Sequence, residues 1–119
     1  MQVIKITTQN KISVIDINVN DYKEVNREIK CDLAEVVKTQ IMWDYFGQPI
    51  LMLVDEEGRL KNPRLNSVGS YLYGTHLHRH PIVGDVLFVV PDGEQFAGFE
   101  NAEKIKRKMM IDFDYLMEA

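Results

Sequence analysis

The sequence predicts an α+β protein: a mainly antiparallel sheet of about five or six strands with two or three helices packed on it. Three observations lead there. Short apolar runs rich in β-branched residues (VIKI near the start, ILMLV at 50–54, VLFVV at 86–90) are too short to be independent helices and are bounded by turn residues. Two longer segments, after Asn20 and after Asn101, space apolar residues three and four apart, as amphipathic helices do. The strand pairs at either end are joined by short polar turns, which favours hairpins over parallel crossovers.

The elements follow in order. Gln2 to Thr7 reads as a strand, with Lys5 on the opposite face from Ile4 and Ile6. The polar turn Thr8 to Lys11 leads to a second strand, Ile12 to Ile17, whose alternation changes phase between Val14 and Ile15, as at a β-bulge. Asn20 suits a helix N-cap, with Asp21 complementing the helix dipole. Tyr22, Val25 and Ile29 then form one apolar face. The end of this helix, between Lys30 and Gln40, is left open by periodicity, because Leu33, Val36 and Gln40 can extend it whereas Val36, Val37, Thr39 and Ile41 suit a strand better.

Gly47, Gln48 and Pro49 punctuate the chain after the aromatic cluster Trp43, Tyr45 and Phe46. Ile50 to Val54 is a buried strand, stopped by the turn Asp55 to Gly58, where Gly58 can supply positive φ before an extended or irregular path. Leu65 to Tyr73 reads as a short helix with Gly74 as a left-handed C-cap and Gly69 set for close backbone packing. Val86 to Val90 is the central strand, turned back by Pro91 to Glu94 into a return strand, Gln95 to Phe99. The last helix runs from about Asn101 to Met117, and its Lys104–Lys108 cluster, flanked by acids, reads as a solvated face.

At 119 residues the chain is expected to form a single domain, residues 1–119, with a core of its own. No apolar run approaches the roughly 18 residues of a membrane span, and the opening MQVIKITTQ lacks a basic-then-apolar leader. No membrane partner and a cytoplasmic location are therefore expected. Cys31 is the only cysteine and reads as a small, partly buried apolar residue.

The formal net charge is −4, which argues mildly against a dedicated DNA-binding protein, but the charge is unevenly spread. Residues 59–84 hold four basic and no acidic side chains, whereas each flank has four more acids than bases.

Asp55-Glu56-Glu57-Gly58-Arg59-Leu60, Leu65-Asn66, Leu72-Tyr73-Gly74 and Pro81-Ile82-Val83-Gly84-Asp85-Val86 resemble, in order, the hallmarks of domain-of-unknown-function family 3846. That family comprises small uncharacterised proteins of bacteria, phages and mobile elements. The resemblance extends to the opening VIKI strand and to Glu35-Val36-Val37, which it reads as the start of a strand, so the first helix is placed to end near Lys30. Gly69 and the THLHRH stretch, residues 75–80, depart from the pattern. The resemblance implies no activity, cofactor or catalytic residue.

The reading of function rests on the central stretch. It is a non-catalytic binding or regulatory module whose basic, His-containing segment meets an anionic or polar surface. Arg59, Lys61, Arg64 and Arg79 supply charge, His76, His78 and His80 can add to it in acid, and Asn66, Tyr71 and Tyr73 offer hydrogen bonds and stacking. The expected partner is another protein or a second copy of the chain, with nucleic acid less favoured. Trp43, Tyr45 and Phe46 are read first as core residues and, where exposed, as a homodimer contact.

The alternative is a small metal-dependent or acid/base enzyme around His76–Asp85. An extended THLHRH would turn its three imidazoles to one side, and Asp85 with a histidine could activate Ser67 or Ser70. No phosphate loop, nucleophile elbow or dinucleotide fingerprint accompanies these residues, and no cofactor, metal ligand or catalytic residue is assigned.

Overall fold

The computed structural model describes residues 1–61, 64–78 and 80–117. Among them the strands form one six-stranded antiparallel sheet in the order β2-β1-β5-β4-β3, with β6 on the far half of β5. The strands are β1 (Gln2–Ile6), β2 (Ile12–Asp16), β3 (Ala34–Val37), β4 (Leu51–Asp55), β5 (Val86–Asp92) and β6 (Gln95–Ala97). The helices are α1 (Tyr22–Ile29), α2 (Gln40–Phe46), α3 (Ser67–Tyr73), α4 (Thr75–His78), α5 (Ala102–Asp112) and α6 (Asp114–Met117). The α+β class and antiparallel sheet are as the sequence predicts. The helices are more numerous because the long C-terminal one breaks at Phe113 and two short segments also coil.

Both faces of the sheet are covered. On one, Ile4, Ile6, Met52, Val54, Val86 and Phe88 meet Met42 of α2, Val68 and Leu72 of α3 and Met109 of α5. On the other, Val3, Leu53, Leu87 and Val89 meet Val25 and Ile29 of α1. Double burial explains why β4 and β5 are apolar at consecutive positions rather than alternating. It also removes the expected bulge in β2: the register from Gln2↔Asp16 to Ile6↔Ile12 is unbroken, with Val14 packed against one core and Ile15 against the other.

The N-cap of α1 is Asp21, which accepts from the Lys23 amide at 2.9 Å, and not Asn20. Asn20 instead clamps β6, accepting from the Phe96 amide at 2.8 Å and donating to its carbonyl at 2.9 Å. The helix ends at Ile29 with Lys30 in the left-handed region, where the family resemblance placed its end, and β3 follows.

Helix α2 was not foreseen. Thr39 caps it by accepting from the Met42 amide at 3.3 Å, and Gly47, at φ +70°, closes it. Trp43, Tyr45 and Phe46 are half-buried on it and packed against the core. The Trp43 indole donates to the Ile50 carbonyl at 2.9 Å, and the Phe46 ring lies 5.3 Å from that of Phe88.

Three further segments differ from expectation. Gly58 to Lys61 form a 3-10 turn, and Gly58 is not at positive φ; a Cβ there would lie 2.8 Å from Val83 Cγ2, so close approach is what demands glycine. Pro91 lies inside β5, past Val89 where the pairing with β4 ends, so its missing amide breaks no ladder bond on that side. The turn that follows is Gly93-Glu94, with Gly93 at φ +60°. Finally, Thr75–His78 is a helical turn and not an extended strand.

The basic cluster on α5 is charge-balanced where it meets α2. Lys108 lies 3.3 Å from the Asp112 carboxylate and 3.7 Å from the Tyr45 ring centroid, while the Tyr45 hydroxyl donates to Asp112 at 2.6 Å. Burial, then the bond to Asp112, pushes the Tyr45 phenol well above its usual value of 10.0. A raised value means that this contribution to stability is complete below about pH 10 and is lost as pH rises through the folded-state value. Wild-type urea midpoints should therefore fall above about pH 10 more steeply than those of Tyr45→Phe, and the variant should lack the last component of the tyrosinate absorbance titration.

Candidate functional site

The central segment begins where β4 ends. Asp55 accepts from the Glu57 amide at 2.9 Å with one carboxylate oxygen and from the Lys61 ammonium at 3.0 Å with the other, which fixes the 3-10 turn. The bond to Asp55 raises the Lys61 pKa. Asp85 does the corresponding work at the start of β5, accepting from the Thr8 amide at 3.2 Å with Lys30 at 4.0 Å. The stretch that is free of acids in sequence is therefore bordered in space by two carboxylates from its flanks.

Asn66 joins these pieces. Fully buried, it caps α3 by accepting from the Gly69 amide at 2.8 Å and donates to the carbonyls of Ile6 at 3.0 Å and Gly84 at 2.9 Å. A Cβ on Gly69 would lie 3.0 Å from the Asn66 side-chain oxygen, which explains the glycine inside α3. Ser70 is similarly engaged: its hydroxyl donates to the Ile82 carbonyl at 3.2 Å and accepts from the Ile82 amide at 2.9 Å. Neither residue presents chemistry to a ligand. Both hold the central segment against β1 and the approach to β5.

Two clefts result, meeting at Asp55. One, of about 220 Å³, is lined by Thr8, Lys30, Lys61, Arg64, Gly84 and Asp85 among others. The second, of about 270 Å³, is lined by Glu35, Val37, Glu56, Tyr73, His80 and Ile82 among others.

The residues singled out by sequence divide accordingly. Lys61 and Arg64 face the first cleft, Tyr73 and His80 the second. Tyr71 is exposed elsewhere, edge-on to Phe113 at 5.6 Å. His76 and His78 are exposed on α4, with the His78 ring 5.1 Å from that of Tyr73, and Thr75 donates to the His80 carbonyl at 2.8 Å. A helical turn at Thr75–His78 sets His76 and His78 on different sides, so the extended three-imidazole arrangement is not formed. Among the described residues no three His, Cys, Asp or Glu side chains are grouped to hold a metal ion. Arg79 and the side chain of Arg59 lie outside the described residues.

Lys30, Glu35 and Glu56 belong to these clefts and were not identified from sequence. No local signal marks them, since they reach the site through the helix terminus after α1 and through the β3–β4 pairing. Cys31 is half-buried beside Asn26 at 3.4 Å, and burial pushes its thiol upward, away from reactivity. No described helix is long and apolar enough to cross a membrane.

Residues 1–110 match the family described as Domain of unknown function (DUF3846). Neither a curated protein nor a solved structure matches the chain.

Proposed function

The chain belongs to the DUF3846 family, and because that description carries no activity we propose a function from the chemistry of this chain: a non-catalytic binding module whose central segment receives an anionic group of a partner protein. One observation supports this above the others. Lys30, Lys61 and Arg64 line a single cleft in which Asp55 and Asp85 sit near the two lysines, while the exposed Arg64 makes no ion pair among the described residues. A guanidinium offers a planar fork of donors that fits carboxylate or phosphate through two parallel bonds. Nucleic acid is held by a run of basic residues that neutralises successive phosphates. A chain of formal net charge −4 with, among the described residues, one unpaired guanidinium in the cleft does not supply such a run, and this favours the carboxylates of a protein over nucleic acid.

Fluorescence anisotropy with labelled polyglutamate, single-stranded DNA and double-stranded DNA, each titrated with salt, tests the reading. Polyglutamate should bind at low salt, weaken as salt is added, and be lost on Arg64→Ala. DNA binding tighter than polyglutamate binding would replace the partner class by nucleic acid. Absence of binding to all three probes at low salt would overturn the proposal.

A further inference from the structure

Strand β3 is an edge of the sheet, paired only with β4. The Glu56 amide donates to the Leu33 carbonyl at 3.0 Å, so Leu33 and Glu56 form a hydrogen-bonded pair, and the alternation of an antiparallel ladder makes Glu35 and Val37 the next ones inward. The amides and carbonyls of Ala34 and Val36 therefore point away from β4, and they take no partner among the described residues. An open edge is common and is usually blunted by shortness and charge. This one differs in having a cleft on each face.

On the face of Glu35 and Val37 lies the 270 Å³ cleft, whose rim carries Glu35 and Glu56, both exposed and neither ion-paired among the described residues. On the face of Ala34 and Val36 lies a groove of about 420 Å³ between α1, β3 and β6, lined by Tyr22, Val25, Leu33, Val36, Leu53 and Phe96 among others. Tyr22, Leu33 and Val36 are 69%, 59% and 45% exposed, so apolar surface is left uncovered there.

We propose that the β3 edge is a docking site for an extended segment of a partner protein that alternates basic and apolar residues. The added strand would take backbone hydrogen bonds from Ala34 and Val36, as in strand addition at other sheet edges. Because strand side chains alternate between faces, successive residues of the segment enter opposite clefts. Lysine or arginine meets Glu35 and Glu56 on one face, and an apolar side chain enters the groove beside Val36 on the other. A second copy paired through the same edge fits less well: twofold symmetry brings another Glu35 and Glu56 to the same face, like charge against like. This surface lies beyond the Arg64 cleft and requires the opposite charge of its ligand, so the two readings stand or fall separately.

The probes are the capped hexapeptides Lys-Val-Lys-Val-Lys-Val and Glu-Val-Glu-Val-Glu-Val, read by fluorescence anisotropy on the full chain. The lysine peptide should bind and slow hydrogen exchange at the Ala34 and Val36 amides, whereas the glutamate peptide, a ligand for the Arg64 cleft, should leave those amides unprotected. Val36→Pro, which removes an outward amide and leaves the β4 ladder intact, should abolish binding, and Glu35→Lys should invert the preference. Arg64→Ala should change neither result. Equal protection of the Ala34 and Val36 amides by both peptides, unchanged affinity of the lysine peptide for a folded Val36→Pro chain, or sedimentation showing a dimer that Val36→Pro dissociates would each overturn the proposal, the last in favour of a second copy as occupant.

Discussion

Asn66→Ala should destabilise the protein by about 3 to 5 kcal/mol, because it removes one helix cap and leaves two buried carbonyls without their donor. The bonds concerned run to Gly69, Ile6 and Gly84, so the loss is felt in α3, at the end of β1 and before β5 together. Urea denaturation measures the total. Asn66→Asp separates its parts: the carboxylate can keep the cap but cannot donate, and it sits against two carbonyl oxygens. Its folded-state pKa should be raised, so the deficit of this variant should shrink as pH falls and grow as pH rises through that value. A deficit in Asn66→Ala below about 1 kcal/mol would mean that water replaces the side chain at little cost.

The second large effect is expected at Phe88. Its side chain is fully buried at the middle of the sheet, facing Ile4 of β1 and Met52 of β4 in register, with the Phe46 ring above it. Phe88→Ala should cost about 3 to 5 kcal/mol, the sum of lost transfer free energy and a cavity that three paired strands cannot collapse to fill. Phe88→Leu keeps most of the volume and should cost much less, under about 2 kcal/mol. Equal losses for the two variants in urea denaturation would show that the tilted ring contact with Phe46, rather than volume, is what matters at this position.

The sequence was most readable where one local rule decides. The apolar runs of β4 and β5, the left-handed Gly74 after α3 and the three-and-four spacing of Ala102, Ile105, Met109 and Phe113 all held. Reading failed where rules compete. Gln40–Phe46 combines three aromatic residues with only one fully buried position, Met42, so α2 has no clean stripe, and its Thr39 cap looks like a strand residue. Asn20 and Asp21 are both good caps in isolation, and only the pairing of Asn20 with Phe96, 76 residues away, assigns the cap to Asp21.

The candidate site was legible in part for the same reason. Lys61 and Arg64 are visible as charges, but the carboxylates that face Lys61 and Lys30 come from outside the acid-free stretch, and Glu35 reaches its cleft through a strand pairing. Asn66 reads from sequence as a binding residue, whereas in the fold it is buried and caps α3 while donating to two carbonyls. Its partner in β1 is 60 residues away in sequence, so a structural role could not be told from a binding one.

The order β2-β1-β5-β4-β3 has a consequence for how the chain is made. The N-terminal hairpin is complete once Asp16 has been synthesised, and the β3–β4 pair once Asp55 has, yet nothing joins them until β5, starting at Val86, arrives to pair with both. Between the synthesis of Asp55 and that of Val86 the nascent polypeptide therefore carries two incomplete apolar ribbons, each with an inner edge awaiting the same late strand. Closing that gap requires contacts across some 80 residues of sequence, between Ile4 and Phe88, and such long-range closure slows folding and prolongs exposure to aggregation. On the ribosome, β5 is the segment whose emergence turns two separate strand pairs into one sheet.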